Sequence, residues 1–455
     1  MSGVTVFRGR RVVRDGGVAP ASVHVEDGVI ARVGEPDDLP AGAAVVDVGD
    51  DVLMAGIVDT HVHVNEPGRA EWEGFDTATR AAAAGGVTTI LDMPLNSIPA
   101  TTSCAALDAK RRAADGRCWV DVGFIGGVVP GNQAALGPLH DAGVLAFKCF
   151  LVPSGVPEFE HVTESDLRSA LPVLARLDAL LMVHAELPRP IEAALAGLAG
   201  LDPHAHETWR RSRPPQSETE AVRMLGRLGR AFGTRVHVVH LSSREGVGAI
   251  HDEVGAGADL SAETCPHYLH FVSESVPAGA TQFKCAPPIR TRDDREALWA
   301  ALRDDVLCAI VSDHSPAPPE IKLRGGDFFA AWGGIASLEL GLAAAWTEAR
   351  ARGHGPADVA RWMCEAPARL VGLRHRKGRI AEGFDADFCV WRPDGEVRVV
   401  PEHLQQRHKL TPYAGETLLG RVEATYLAGR LVYERGELRG APRGRHLLRD
   451  AGVRS

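Results

Sequence analysis

Gly56-Ile57-Val58-Asp59-Thr60-His61-Val62-His63-Val64 is an apolar, β-branched run that ends in imidazoles, and it opens a pattern repeated through the middle of the chain. Seven more runs of this character follow: Val87–Pro94, Trp119–Val128, Val144–Leu151, Leu180–His184, Arg235–Leu241, Asp259–Thr264 and Val306–Ser312. Ala/Leu/Arg-rich stretches at helical spacing lie between or after them, among them Glu73–Ala84, Ser217–Phe232 and Ile335–Arg350. Ser217, ahead of Glu220, reads as a helix N-cap. Apolar strands alternating with helices indicate βα units around a parallel sheet. Eight strands close a barrel, so the predicted fold is an α/β (β/α)8 TIM-like barrel over residues 55–375.

Outward from the barrel the signal changes. Val23, Val25, the turn pair Asp27-Gly28, then Val29, Ile30 and Val33 read as short antiparallel strands. The signal returns at Phe388–Trp391, Asp394-Gly395, Val397 and Val399, and again at Thr425–Tyr433. Residues 1–54 and 376–455 are therefore expected to make one small, discontinuous β-sandwich domain. Pro153–Thr163, Leu201–Gln216 and Ser315–Gly334 are too polar or too rich in Gly and Pro to be elements. In a barrel they would lie over the mouth as lids. The charged run Arg374-His375-Arg376-Lys377 reads as a solvated connection into the second β segment.

Composition narrows the chemistry. In 455 residues, 45% hydrophobic and 24% charged content with 49 Gly and 29 Pro excludes collagen-like, disordered and disulfide-scaffold classes. A net charge of −9 leaves no basic footprint for nucleic acid or an anionic membrane. Arg8 and Arg10 interrupt the N-terminus before any stretch resembling a signal peptide, so the cytoplasm is the expected compartment. The eight cysteines lack CxxC spacing and read as reduced, buried thiols.

What remains is histidine, carboxylate and lysine. Residues two apart on a strand face the same side, so His61 and His63 can aim both rings at one metal ion. Taken alone, the pair reads equally well as polar decoration of an edge strand. Lys148 sits in the apolar run Ala146-Phe147-Lys148-Cys149-Phe150-Leu151, where a bare ammonium is costly to bury. It is either a snorkelling lysine or an amine that captures carbon dioxide as a carbamate bridging two metals. His184, His240 and Asp313 end or follow later strands. Six such residues at the C-terminal ends of barrel strands describe a two-metal hydrolase, because that face is where barrel enzymes assemble their sites. His61 and His63 would hold one divalent ion, His184 and His240 the other, with carboxylated Lys148 between. Two cations activate a water, and Asp313, also a ligand, shuttles its proton to the leaving nitrogen. Zinc suits this donor set, as do cobalt and manganese. His237, three residues before His240, would face another way and pack in the core. His267 would support the site from behind, and Asp385 and Asp387 would pin the chain's return into the β domain.

The chain resembles the amidohydrolase superfamily and, within it, the cyclic-amide hydrolases of the allantoinase family, over nearly its whole length. The resemblance is carried by His61-Val62-His63-Val64-Asn65-Glu66-Pro67-Gly68-Arg69, Met93-Pro94-Leu95-Asn96-Ser97, Phe147-Lys148-Cys149-Phe150, His240-Leu241-Ser242-Ser243, Cys265-Pro266-His267-Tyr268, Lys284-Cys285-Ala286-Pro287-Pro288, Ser312-Asp313-His314-Ser315 and Trp332-Gly333-Gly334. It implies the barrel with a terminal β-sandwich, metal ligation by His61, His63, N6-carboxylated Lys148, His184, His240 and Asp313, and a homotetramer. The implied reaction opens (S)-allantoin to allantoate in purine and ureide breakdown. Asn65, Asn96, Ser154, Cys285 and Ser315 are the implied substrate contacts, each equally readable as loop structure. Dihydroorotases, which are similar through the Glu-Pro-Gly turn, usually place an arginine where this chain has Asn65. Hydantoinases and dihydropyrimidinases typically carry a tyrosine in the loop that here reads Pro153-Ser154-Gly155. A non-catalytic scaffold relative would be expected to have lost ligands, whereas the set is intact.

Overall fold

The computed structural model describes residues 3–449. Four strands, β1 (Thr5–Arg14), β2 (Gly17–Glu26), β3 (Val29–Gly34) and β4 (Ala44–Ala55), precede the barrel. The barrel strands are β5 (Ile57–Val62), β6 (Val87–Asp92), β7 (Asp121–Gly127), β8 (Ala146–Phe150), β9 (Leu181–His184), β10 (Val236–Val238), β11 (Leu260–Thr264) and β12 (Ala309–Ile310). They pair in parallel in chain order. Every residue of β5, β6, β7, β8 and β9 is buried, which is why these strands read as near-continuous apolar runs rather than alternating ones. A parallel bridge between Val62 and His314 closes the circle, with the His63 N–H donating to the His314 carbonyl at 2.8 Å. The His314 Nδ1 in turn accepts from the Ser337 and Leu338 N–H groups at 3.2 and 3.3 Å, so this histidine is a structural joint at the seam.

Beyond the barrel run β13 (Phe388–Arg398), β14 (Thr417–Leu427), β15 (Arg430–Glu434) and β16 (Glu437–Leu438). They join β1–β4 in one separate sheet, ordered β16-β15-β14-β13-β4-β1-β2-β3. The two chain ends meet where β13 pairs antiparallel with β4. A last short strand, β17 (His446–Leu447), leaves that sheet and pairs with β7 of the barrel.

Several local expectations are corrected. Asp394-Gly395 makes no hairpin turn; β13 runs through it and absorbs the extra residues in a register shift between Arg392 and Glu396. Ser217 is not a cap, because the helix Pro215–Phe232 starts ahead of it with proline in its first turn, and Ser217 Oγ donates to the Pro214 carbonyl at 2.8 Å. Leu201–Gln216, read as irregular, contains the helix His206–Ser212, whose His206 and Trp209 are buried. Nor is the 374–377 run wholly solvated. Lys377 is 2% exposed, and its Nζ lies 2.7, 3.0 and 2.5 Å from carboxylate oxygens of Asp121, Asp385 and Asp387. These groups tie β7 to the chain's return into the terminal sheet, the role expected of Asp385 and Asp387.

Candidate metal centre

The C-terminal ends of the barrel strands converge on a cavity of about 260 Å³. His61 ends near the tip of β5 with His63 just past it, Lys148 stands in β8, His184 closes β9, and His240 and Asp313 follow β10 and β12. None of the six is more than 7% exposed. His240 (φ 43°) and Asp313 (φ 45°) both hold left-handed backbone, a conformation uncommon outside glycine and concentrated at functional sites. At these two positions the chain leaves the strand direction abruptly.

The structure brings all six together. His61 Nε2 and His63 Nε2 lie 3.2 and 3.5 Å from the same oxygen of Asp313. These three residues offer ligand atoms within 4.8 Å of one another. The His240 ring stands 5.3 Å from that of His61 and 4.6 Å from that of His184. His184 stacks on Phe150 at 4.7 Å, and the Lys148 Nζ sits 5.0 Å from the same Phe150 ring. Lys148 Nζ, His63 Nδ1 and His240 Nδ1 are buried without a hydrogen-bond partner. Burial, with Lys148 and other histidines nearby, pushes His61 well below the usual imidazole range, and burial beside His184 and Lys148 does the same to His240. His184 is lowered by burial even though Glu186 opposes the shift. Neutral imidazoles are what a metal ion requires. Burial also brings the Lys148 amine down to about 8, against the pull of Asp313.

Of the expected substrate contacts, Asn96, Ser154 and Ser315 line the cavity. Asn65 and Cys285 do not: Asn65 is buried with Nδ2 3.5 Å from the Pro316 carbonyl, and the Cys285 carbonyl accepts from Trp209 Nε1 at 3.0 Å. His267 is fully buried with neither ring nitrogen hydrogen-bonded. His237 is bonded rather than simply packed; its Nε2 lies 2.9 Å from Glu263. The sequence reading gave no site role to the side chains of Phe150, Trp209, Arg213, Lys284 and Trp332, which also line the cavity. It also passed over Glu186 and Glu263, both fully buried against candidate ligands. Glu263 was findable: it stands in β11, the one strand of the last four from which no residue had been taken. Despite its burial, Glu186 is held well below the usual carboxylate range by Arg213 and His184.

A family model for the amidohydrolase family matches residues 52–432. A protein of Streptomyces avermitilis named allantoinase is 47% identical over 98% of this chain and 98% of its own. An Oryza sativa protein named probable allantoinase is 43% identical over 93% of this chain and 86% of its own. Among solved structures, an L-hydantoinase (dihydropyrimidinase) from Arthrobacter aurescens superposes with a TM-score of 0.93 at 29% identity, covering 99% of this chain and 100% of the other.

Proposed function

Because the chain belongs to the amidohydrolase family, we propose that it hydrolyses a cyclic amide, and that its substrate is (S)-allantoin and its product allantoate. The observation that carries this reading is the meeting of four histidines and an aspartate on one cavity, with Lys148 buried beside them, in a chain whose allantoinase-named relative spans 98% of it.

The donor set fits two divalent cations. The imidazoles are kept neutral or are turned toward a carboxylate, and Lys148 presents a buried amine with no hydrogen-bond partner. Leaving such an amine unpaired is costly; carboxylation converts it into a group with two ligand oxygens. His61, His63 and Asp313 would hold one ion, His184 and His240 the other, and carboxylated Lys148 both. When bound, the cations supply Lewis acidity that acidifies water and polarises the ring carbonyl. Asp313 accepts the proton of the attacking water and returns it to the ring nitrogen as the C–N bond breaks. Asn96, Ser154 and Ser315 offer polar groups to the ring, and Phe150 and Trp332 give it apolar walls. Both cations in the wall are already engaged: Arg213 by Glu186, Lys284 by the Phe329 and Ala331 carbonyls. That arrangement suits a neutral ring better than one bearing a carboxylate.

Zinc as the resident metal, a homotetramer, the cytoplasm, and domain limits at 54/55 and 375/376 belong to the same reading. Among the described residues no helix is long and apolar enough to cross a membrane. The test is a panel of allantoin, hydantoin, dihydrouracil and dihydroorotate on the metal-replete protein, with allantoin expected to give the highest kcat/KM. A preference for hydantoin or dihydrouracil would place the chain with its hydantoinase neighbour, and a preference for dihydroorotate would remove the argument from the engaged cations.

A further inference from the structure

Two carboxylates stand directly behind the candidate ligands. Glu263 Oε1 accepts from His61 Nδ1 at 2.8 Å, and its Oε2 accepts from His237 Nε2 at 2.9 Å. The other nitrogen of His237 lies 2.7 Å from Ser261 Oγ, so the chain of contacts runs from β5 across β11 to β10. With Nδ1 given to Glu263, His61 turns Nε2 toward Asp313. On the opposite side of the cavity, Glu186 Oε2 takes His184 Nε2 at 2.7 Å, which leaves Nδ1 for the interior. Glu186 is itself held by Arg213, whose Nε and Nη2 donate at 3.1 and 2.5 Å, and by Ser217 Oγ at 3.4 Å. The pattern is asymmetric. His63 and His240, the other member of each proposed pair, have no partner at Nδ1.

We propose that Glu263 and Glu186 are positioning residues, one for each metal: each holds one histidine in the tautomer and ring orientation that ligation requires, while the second histidine of each pair relies on the metal itself. The inference rests on the metal reading above. Its physical basis is that a ring N–H given to a carboxylate fixes which nitrogen is free and raises that nitrogen's basicity. A carboxylate 0% exposed, serving two histidines at once, is also too costly to retain as mere filler unless its bonds are used.

The test is metal binding rather than turnover. The full chain is stripped with a chelator and titrated with zinc and with cobalt, for the wild type, Glu263→Gln and Glu186→Gln. Each variant is expected to bind one equivalent as the wild type does and the other about 10- to 100-fold more weakly, with the visible bands of the cobalt forms differing between the two variants. A folded Gln variant, with a wild-type melting temperature, that binds both equivalents at wild-type affinity overturns the proposal. Should the variants not fold, a crystal structure of the zinc-loaded wild type decides. Ligation through His61 Nε2 with Glu263 on Nδ1, and through His184 Nδ1 with Glu186 on Nε2, supports it; ligation through the opposite nitrogens, or either carboxylate turned away, overturns it. A wild type that takes up no metal overturns the metal reading and this one together, whereas a two-metal wild type with unaffected variants overturns the positioning role alone.

Discussion

Lys148 is the residue on which the site chemistry is most exposed to test. Its Nζ is buried without a hydrogen-bond partner near His61, His184, His240 and Asp313, an arrangement that destabilises the fold unless the amine is modified and ligated. Lys148→Ala is therefore expected to lose at least 100-fold in kcat, on the order of 3 kcal/mol in barrier, together with bound metal by elemental analysis. Short carboxylic acids supplied in the buffer should restore part of both. An unaffected Lys148→Ala enzyme would make the lysine a packing residue. The reach of the sequence at this scale has a physical limit. His61, His63, Lys148, His184, His240 and Asp313 could be nominated because strand ends on one barrel face are forced into proximity. Glu186 and Glu263 could be placed near that face too, but which histidine each would grip depends on side-chain directions that spacing does not encode. Asn65 was a contact implied by the resemblance, yet with left-handed backbone (φ 70°) its side chain reaches the Pro316 carbonyl instead of the cavity wall.

At the scale of elements, the eight barrel strands were readable because strands buried on both faces must be apolar throughout. Their ends were not. β10 and β12 keep only three and two residues in the ladder, since the chain turns away early to present His240 and Asp313. The segment Ser315–Gly334 shows how an element with little regular structure is held in place. Lys322, 4% exposed in the short helix Pro319–Lys322, donates to the carbonyls of Lys284 at 2.7 Å, Trp332 at 3.1 Å and Gly334 at 2.5 Å. Trp332 then packs edge-on against Trp72 at 4.7 Å, and Arg69 lies over Trp72 while pairing with Glu158 of the 153–163 segment. Removing one ammonium therefore leaves the Trp332 and Gly334 carbonyls unsatisfied, the Lys284 carbonyl keeping the Gly334 N–H at 2.9 Å, and frees the wall of the cavity. Lys322→Met is expected to cost roughly 2–4 kcal/mol, to raise KM more than it lowers kcat, and to expose residues 315–334 to limited proteolysis. Unchanged KM and protease resistance would show that the segment is held by its aromatic contacts alone.

Two ionic joints link the barrel to the terminal sheet. The first is the Lys377 cluster, where a single buried ammonium serves Asp121, Asp385 and Asp387. Lys377→Met leaves three acids without their shared cation and is expected to cost about 3–5 kcal/mol, read as a lower urea midpoint. The second joint is His270, at the end of the helix Pro266–His270. Its Nδ1 lies 3.2 Å from Glu348 in the helix Gly341–Ala351, and its Nε2 lies 2.6 Å from Glu416, next to β14. Burial works against the charged ring, but the two carboxylates outweigh it and raise His270 to about 9. Arg352 also pairs with Glu348, and it shares that carboxylate with the imidazolium. The folded state thus holds a proton that the unfolded chain releases near 6.5, so the stabilisation is complete below that pH and disappears as pH rises through about 9. It amounts to at most about 3 kcal/mol. Urea unfolding of the wild type and His270→Gln at pH 6, 8 and 9.5 isolates the contribution, because other titrating groups cancel in the difference. The stability gap between the two proteins should be widest at pH 6 and close by pH 9.5. A gap that stays constant across that range would mean that His270 holds the two units together by packing and neutral hydrogen bonds, with no charge on the ring.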